Sequence, residues 1–237
     1  MIVNTAGLKQ SFAIAAALAL LPALVGCSDV PRTLVGKSID GQVLDADSSL
    51  PIAGAHVYYL YEATVIPTSF SGHNSPDVCY HASAAVTDAQ GRFHIDAWEQ
   101  PQKYNVGNAE PTGWAYAVGY VPAENPPKSG VYGEPMDRPN DVYRLKRTHA
   151  SGDARLEELW RFVKWGCLHG GDSQRSIYPA LKAGYDEAKT VAATIAERQR
   201  LDSFRYRAAS AYVAPDPVSN GGYWTEKLQE FVNENLK

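Results

Sequence analysis

Apolar residues in this chain recur at every second position up to about Thr148. After Ser151 they recur at every third or fourth, and that change of period bounds the fold. In the first stretch, His56-Val57-Tyr58-Tyr59-Leu60-Tyr61 sets Val57, Tyr59 and Tyr61 on one face of a strand. Phe93 and Ile95 alternate with His94 and Asp96. Over residues 114–121, Trp114, Tyr116, Val118 and Tyr120 alternate with Ala115, Ala117, Gly119 and Val121. With further strands at 41–45, 80–86 and 142–147, the spacing predicts six or seven short strands in an antiparallel sandwich. Between two of them, Asp88 suits the start of a turn. Gly91 suits the left-handed position that closes a bulged hairpin.

The second stretch is helical. Behind a capping Asp153, Leu156, Leu159, Trp160 and Val163 form one stripe, and Gly166 stops it. A longer helix starts at Pro179 and runs through Leu181, Tyr185, Ala188, Ala192 and Ile195, and its stripe slips near Gln199. Pro215-Asp216-Pro217 ends that helix or one that follows it. Trp224, Leu228, Phe231 and Val232 make a short amphipathic tail. The expected fold is therefore α+β: a β-sandwich over 35–150 with a helical region, 151–237, packed on it.

Three strings give the first half a more particular character. They are Gly41-Gln42-Val43 with Asp45, Pro51-Ile52-Ala53-Gly54-Ala55-His56-Val57, and Thr87-Asp88-Ala89-Gln90-Gly91-Arg92-Phe93-His94-Ile95. Together they resemble the carboxypeptidase regulatory-like domain, a transthyretin (prealbumin)-like sandwich of about seven strands. The match covers residues 38–97 and encodes turn geometry rather than chemistry. The resemblance implies an accessory domain for contact or stability, without an active site of its own. The chain departs from that pattern with an insertion at 64–77 and Pro-rich stretches at 101–111 and 122–140.

The N-terminus carries a second resemblance. An Ala/Leu-rich run over residues 12–25 ends in Leu24-Val25-Gly26-Cys27. It has the length of a signal-peptide core and is shorter than the roughly 20 residues that span a bilayer. Two aliphatic residues and a glycine before a cysteine resemble the lipobox of bacterial lipoproteins. The resemblance implies that residues 1–26 are a signal peptide, that Cys27 is the lipidated residue (diacylglycerol and palmitate-type acyl chains), and that 27–34 form a linker. Ser28 follows the cysteine, and in bacteria with two membranes this implies an outer-membrane lipoprotein facing the periplasm. The membrane is then a partner through the anchor.

Composition agrees with an exported protein. There are 14 Tyr and 5 Trp against 2 Met, and the formal net charge is −4. Neither half of the chain is basic, which argues against a nucleic-acid partner. With Cys27 acylated, Cys79 and Cys167 remain, and an even remainder outside the cytoplasm favours a disulfide between them. Zinc is the competing reading, since Cys79-Tyr80-His81 and Cys167-Leu168-His169 offer two thiols and two imidazoles.

Catalytic motifs do not emerge. The transthyretin-type class includes hydroxyisourate hydrolases, but their terminal Tyr-Arg-Gly-Ser does not occur here. It also includes intradiol dioxygenases, whose frame of two Tyr and two His around iron does not align. His169-Gly170-Gly171-Asp172 falls short of His-x-x-Glu, and no G-x-S-x-G, Walker loop or H-E-x-x-H occurs. His56 and His94 fall on strand faces opposite the expected core. The sequence therefore predicts no enzyme and no cofactor, but a non-catalytic envelope module that binds or builds. Loop residues Pro126, Pro127 and Tyr132 combine a restricted backbone with an aromatic anchor and are the candidate contacts for an envelope or secreted protein. An immunity lipoprotein against a secreted effector is the alternative, followed by a metal-dependent enzyme.

Overall fold

The computed structural model describes residues 33–64, 77–101, 111–125, 141–163, 171–213 and 226–236. The fold is mixed α+β. Its strands are β1 (Thr33–Gly36), β2 (Ile39–Asp45), β3 (His56–Thr64), β4 (Asp77–Val86), β5 (Arg92–Ile95), β6 (Trp98–Pro101), β7 (Pro111–Tyr116), β8 (Ala123–Asn125) and β9 (Asp141–Leu145). Four α-helices follow among the described residues: α1 (Gly152–Val163), α2 (Tyr178–Val191), α3 (Ile195–Val213) and α4 (Glu226–Asn235). A 3₁₀ helix, Gly171–Ile177, leads into α2.

The strands form a four-stranded sheet, β4-β3-β7-β8, a three-stranded sheet, β5-β2-β9, and a two-stranded ribbon, β1-β6. All pairs are antiparallel except β2 with β9, which run parallel. Nine strands thus stand among the described residues where about seven were expected. The additional ones are short: the ribbon and the three-residue β8 are too brief to show a period in sequence. The parallel pair also departs from the all-antiparallel expectation. β9 follows β2 only after a long excursion through the other sheet, which frees it to return in the same direction.

The turn at Asp88 forms as its residues predict. Asp88 Oδ1 accepts the N–H groups of Gln90 and Arg92, both at 2.8 Å, and Gly91 takes φ +69°. It does not close a hairpin, however. β4 pairs with β3 and β5 pairs with β2, so the turn carries the chain from one sheet to the other. The expected 114–121 strand is also shorter. β7 stops at Tyr116, Gly119 turns at φ +80°, and Val118 is exposed.

The four-stranded sheet is buried on both faces, because alternate residues serve two separate cores. Val57, Tyr59, Tyr61 and Ala115 pack with Ile39, Val43, Phe93, Ile95, Tyr143 and Leu145 of the three-stranded sheet. Tyr58, Leu60, Ala82, Trp114 and Tyr116 point the other way, into a second core with Leu156, Leu159, Phe162, Leu181, Tyr185 and Phe204 of the helices. Hence 56–61 is apolar at nearly every position rather than alternating with polar residues. The outer edge of β4 is covered as well. Ser173 Oγ accepts the Ala82 N–H at 3.2 Å, and Ser176 Oγ donates to the Ala82 carbonyl at 3.0 Å, so hydroxyls of the 3₁₀ helix stand in for a strand.

α1 buries Leu156, Leu159, Phe162 and Val163. The single helix expected from Pro179 onward is two, α2 and α3, broken at residues 192–194. The break is a capping box: Thr194 Oγ1 accepts the Glu197 N–H at 3.2 Å, and Glu197 Oε2 accepts the N–H groups of Ala193 and Thr194 at 2.9 and 2.7 Å. α4 buries Leu228 and Val232.

Candidate functional site

The β1–β6 ribbon is the part of the described fold least legible in the sequence, and it makes a distinctive surface. Its register, Thr33↔Pro101 through Gly36↔Trp98, continues that of β2 and β5, Ile39↔Ile95 through Gln42↔Arg92, without a slipped residue. The ribbon is therefore an arm of the same ladder, interrupted only at 37–38 and 96–97. Its inner side rests on aromatic rings. Trp98 stacks on His81 with centroids 3.9 Å apart, and Tyr61 meets the Trp98 edge at 4.9 Å. Tyr80 lies 5.9 Å from Trp98, and Gln100 Nε2 donates to the Tyr80 carbonyl at 2.5 Å. Gly36 belongs here of necessity, because a Cβ at that position would overlap the Trp98 indole. Burial lowers the His81 pKa and pushes the Tyr80 phenol up to about 12, so the seat is uncharged near neutral pH. The outer side of the arm carries exposed Thr33, Val35, Glu99 and Pro101, with Val35 72 % exposed.

Three further polar constellations among the described residues, each with a buried member, are tied up in internal hydrogen bonds. At the seam between sheet and helices, Arg155 is 1 % exposed; its Nε and Nη2 donate to Glu187 Oε1 at 2.9 and 2.7 Å, and its Nη1 donates to Glu158 Oε2 at 2.8 Å. Tyr116 O–H donates to the other Glu187 oxygen at 2.5 Å, and burial followed by that carboxylate raises its pKa. Between the sheets, Tyr59 donates to Asp141 and receives the Tyr143 hydroxyl at 3.1 Å. In the β2 turn, Asp45 accepts from the Ser48 backbone and hydroxyl, each at 2.9 Å, and from Tyr120 at 3.0 Å, with Arg147 at 3.3 Å. The Ser48 hydrogen bonds lead in drawing the Asp45 pKa down to about 2.

Cys27, Cys167, Tyr132, Pro126 and Pro127 lie outside the described residues. Cys79, 6 % exposed on β4, faces the helical core, with its sulfur 3.4 Å from the His81 carbonyl. The zinc alternative needs Cys79 and His81 on one face, and β4 bulges between them. His81 pairs with Tyr61 and Cys79 with Glu62, which leaves Tyr80 as the extra residue. The bulge sends His81 to the Tyr61 side and Cys79 to the opposite one. Among the described residues, no three of His, Cys, Asp and Glu gather as a ligand set. His94 is exposed as expected, held 2.7 Å from Asp40. His56 is not: it stacks 6.5 Å from the Tyr116 ring, and burial lowers its pKa, because its side of β3 is the helix-covered one.

No family model matches this chain. No curated protein matches it either. Among solved structures, it is similar to catechol 1,2-dioxygenase from Pseudomonas arvilla C-1, at 17 % identity and TM-score 0.30 over 53 % of this chain and 55 % of that one. It is similar to 3-chlorocatechol 1,2-dioxygenase from Rhodococcus opacus 1CP at 16 % identity and TM-score 0.28, over 51 % and 62 %. A 9R-lipoxygenase from Cyanothece PCC8801 follows at 12 % identity and TM-score 0.25, over 65 % and 24 %. The chain thus spans less than two thirds of each of these proteins, and likeness at this level carries no weight for fold or function.

The aromatic seat was missed in sequence. Its members come from β3, β4 and β6, and only the bulge at Tyr80 and the unbroken ladder bring them together. The dense aromatic and histidine content of 58–61, 80–81 and 98 was the available signal.

Proposed function

We propose that this chain is a lipid-anchored protein of the bacterial cell envelope, whose folded body is a non-catalytic binding or structural module. The observation that carries the reading is the closure of its polar constellations. Arg155 with Glu187 and Tyr116, Tyr59 with Asp141 and Tyr143, and Asp45 with Tyr120 and Arg147 spend their hydrogen bonds tying layers and turns together. Groups committed in this way hold a scaffold rather than a reacting atom. The lipobox-like Leu24-Val25-Gly26-Cys27 supports acylation of Cys27 and an outer-membrane, periplasm-facing location.

The body is proposed to be a transthyretin-type sandwich, supported by the core that β2, β5 and β9 share with one face of the four-stranded sheet. Its loops, with Pro126, Pro127 and Tyr132, are the proposed contacts for an envelope or secreted protein partner. A disulfide between Cys79 and Cys167 is proposed, because Cys27 is reserved for lipid.

Two measurements test the reading. Intact mass of the mature protein is expected to show cleavage before Cys27 and an acylated cysteine, both lost in Cys27→Ser. Crosslinking the anchored protein in whole envelopes is expected to capture one dominant protein, with capture reduced in Tyr132→Ala. An unmodified, uncleaved chain in the soluble fraction rejects the anchor. Turnover by the purified protein rejects the non-catalytic body.

A further inference from the structure

We propose that the outer face of the β1–β6 arm lies against a zwitterionic phospholipid headgroup surface, so that the arm fixes how the body stands on the membrane. The inference rests on acylation of Cys27. Thr33 is the sixth residue after that cysteine. An extended chain covers at most about 3.5 Å per residue, so the tether is at most about 20 Å long. A body of this size has a radius of gyration of about 17 Å and hence a diameter of about 40 Å. The tether is shorter than the body, so Thr33 stays within about 20 Å of the lipid surface and the face around it is held beside the membrane.

The arm is built for that contact. Its inner side is taken by the Trp98, His81, Tyr61 and Tyr80 rings, and its ladder runs on from β2 and β5 without a slip, so it is a stiff support. Its outer side offers Val35, which is 72 % exposed, beside Thr33 and Pro101. Directly across from Val35 stands exposed Glu99. A carboxylate there disfavours an anionic leaflet and fits an ammonium-bearing headgroup.

The test uses the mature acylated protein, beginning at Cys27, in phosphatidylethanolamine/phosphatidylcholine vesicles. Val35→Cys carries an environment-sensitive fluorophore and Ile195→Cys, at an exposed residue of α3, is the reference. Wild-type protein taken through the same labelling reports background. Brominated lipids are expected to quench the label at 35 several-fold more than the label at 195, with a blue-shifted emission at 35 alone. Replacing half of the lipid by phosphatidylglycerol is expected to weaken that quenching, and Glu99→Gln to restore it. Equal quenching at the two positions in protein that floats with the vesicles overturns the docked arm and leaves the anchor standing. Protein that fails to float and lacks the acyl mass overturns both.

Discussion

At the residue scale, Arg155 is a fully buried cation held by the carboxylates of Glu187 and Glu158. Removing one member of a buried ion pair strands the other, at about 3–5 kcal/mol, whereas replacing both by apolar groups is often near neutral. Arg155→Met is therefore expected to lower the urea-unfolding free energy by about 3–5 kcal/mol. Arg155→Met with Glu187→Met is expected to recover part of that loss. Asp45 makes a second prediction. Its folded pKa, about 2, lies below its unfolded value, so its contribution is complete above pH of about 4 and is lost as pH falls toward 2. Asp45→Asn is expected to flatten the acid limb of the stability–pH profile in that window and to leave the slope above it unchanged.

His56 acts in the same direction at higher pH. Its pKa is lowered by burial, so the folded state disfavours its protonated form. Stability is thus expected to decline as pH falls below the ordinary histidine range, and His56→Gln to remove that part of the decline.

At the element scale, Thr194 decides where one helix ends and the next begins. Loss of a side-chain N-cap costs about 1 kcal/mol, and Thr194→Ala is expected to show that loss in thermal unfolding with earlier amide exchange at the start of α3. The box was readable in sequence as Thr194-Ile195-Ala196-Glu197, yet the apolar stripe through Ala188, Ala192 and Ile195 read as continuous. Ile195 misled the period, being 76 % exposed. Most helices were legible because packing repeats every turn: Leu156, Leu159 and Val163 fall where their spacing puts them. The long strands were legible for the same reason. What period could not show was partnership. Nothing in 77–95 says that β4 and β5 part into different sheets, or that one extra residue at Tyr80 turns His81 away from Cys79. The candidate site shared that obscurity, since its rings meet only through pairing between distant strands.

At the scale of the whole molecule, the links that count join the β and helical halves. Tyr58 O–H reaches the Phe162 carbonyl at 2.6 Å, fully buried, and Tyr116 reaches Glu187. A Cys79–Cys167 bond would add a covalent link across the same seam. Closing a loop of about 90 residues restricts the unfolded chain by about 4–5 kcal/mol on the entropy model. Cys79→Ser is accordingly expected to lower the unfolding midpoint markedly under oxidising conditions, and to add little under reducing ones.

The two-sided burial of the β4-β3-β7-β8 sheet has a practical outcome for anyone dissecting this protein. A fragment ending at Ala150 would turn Tyr58, Leu60, Trp114 and Tyr116 toward water as one greasy wall, and a fragment beginning there would lose the wall its helices lean on. Neither piece is a portable unit, so fusions and reporters belong at the C-terminal end of the chain, where the shared wall stays papered on both sides and the N-terminal cysteine stays free for its lipid.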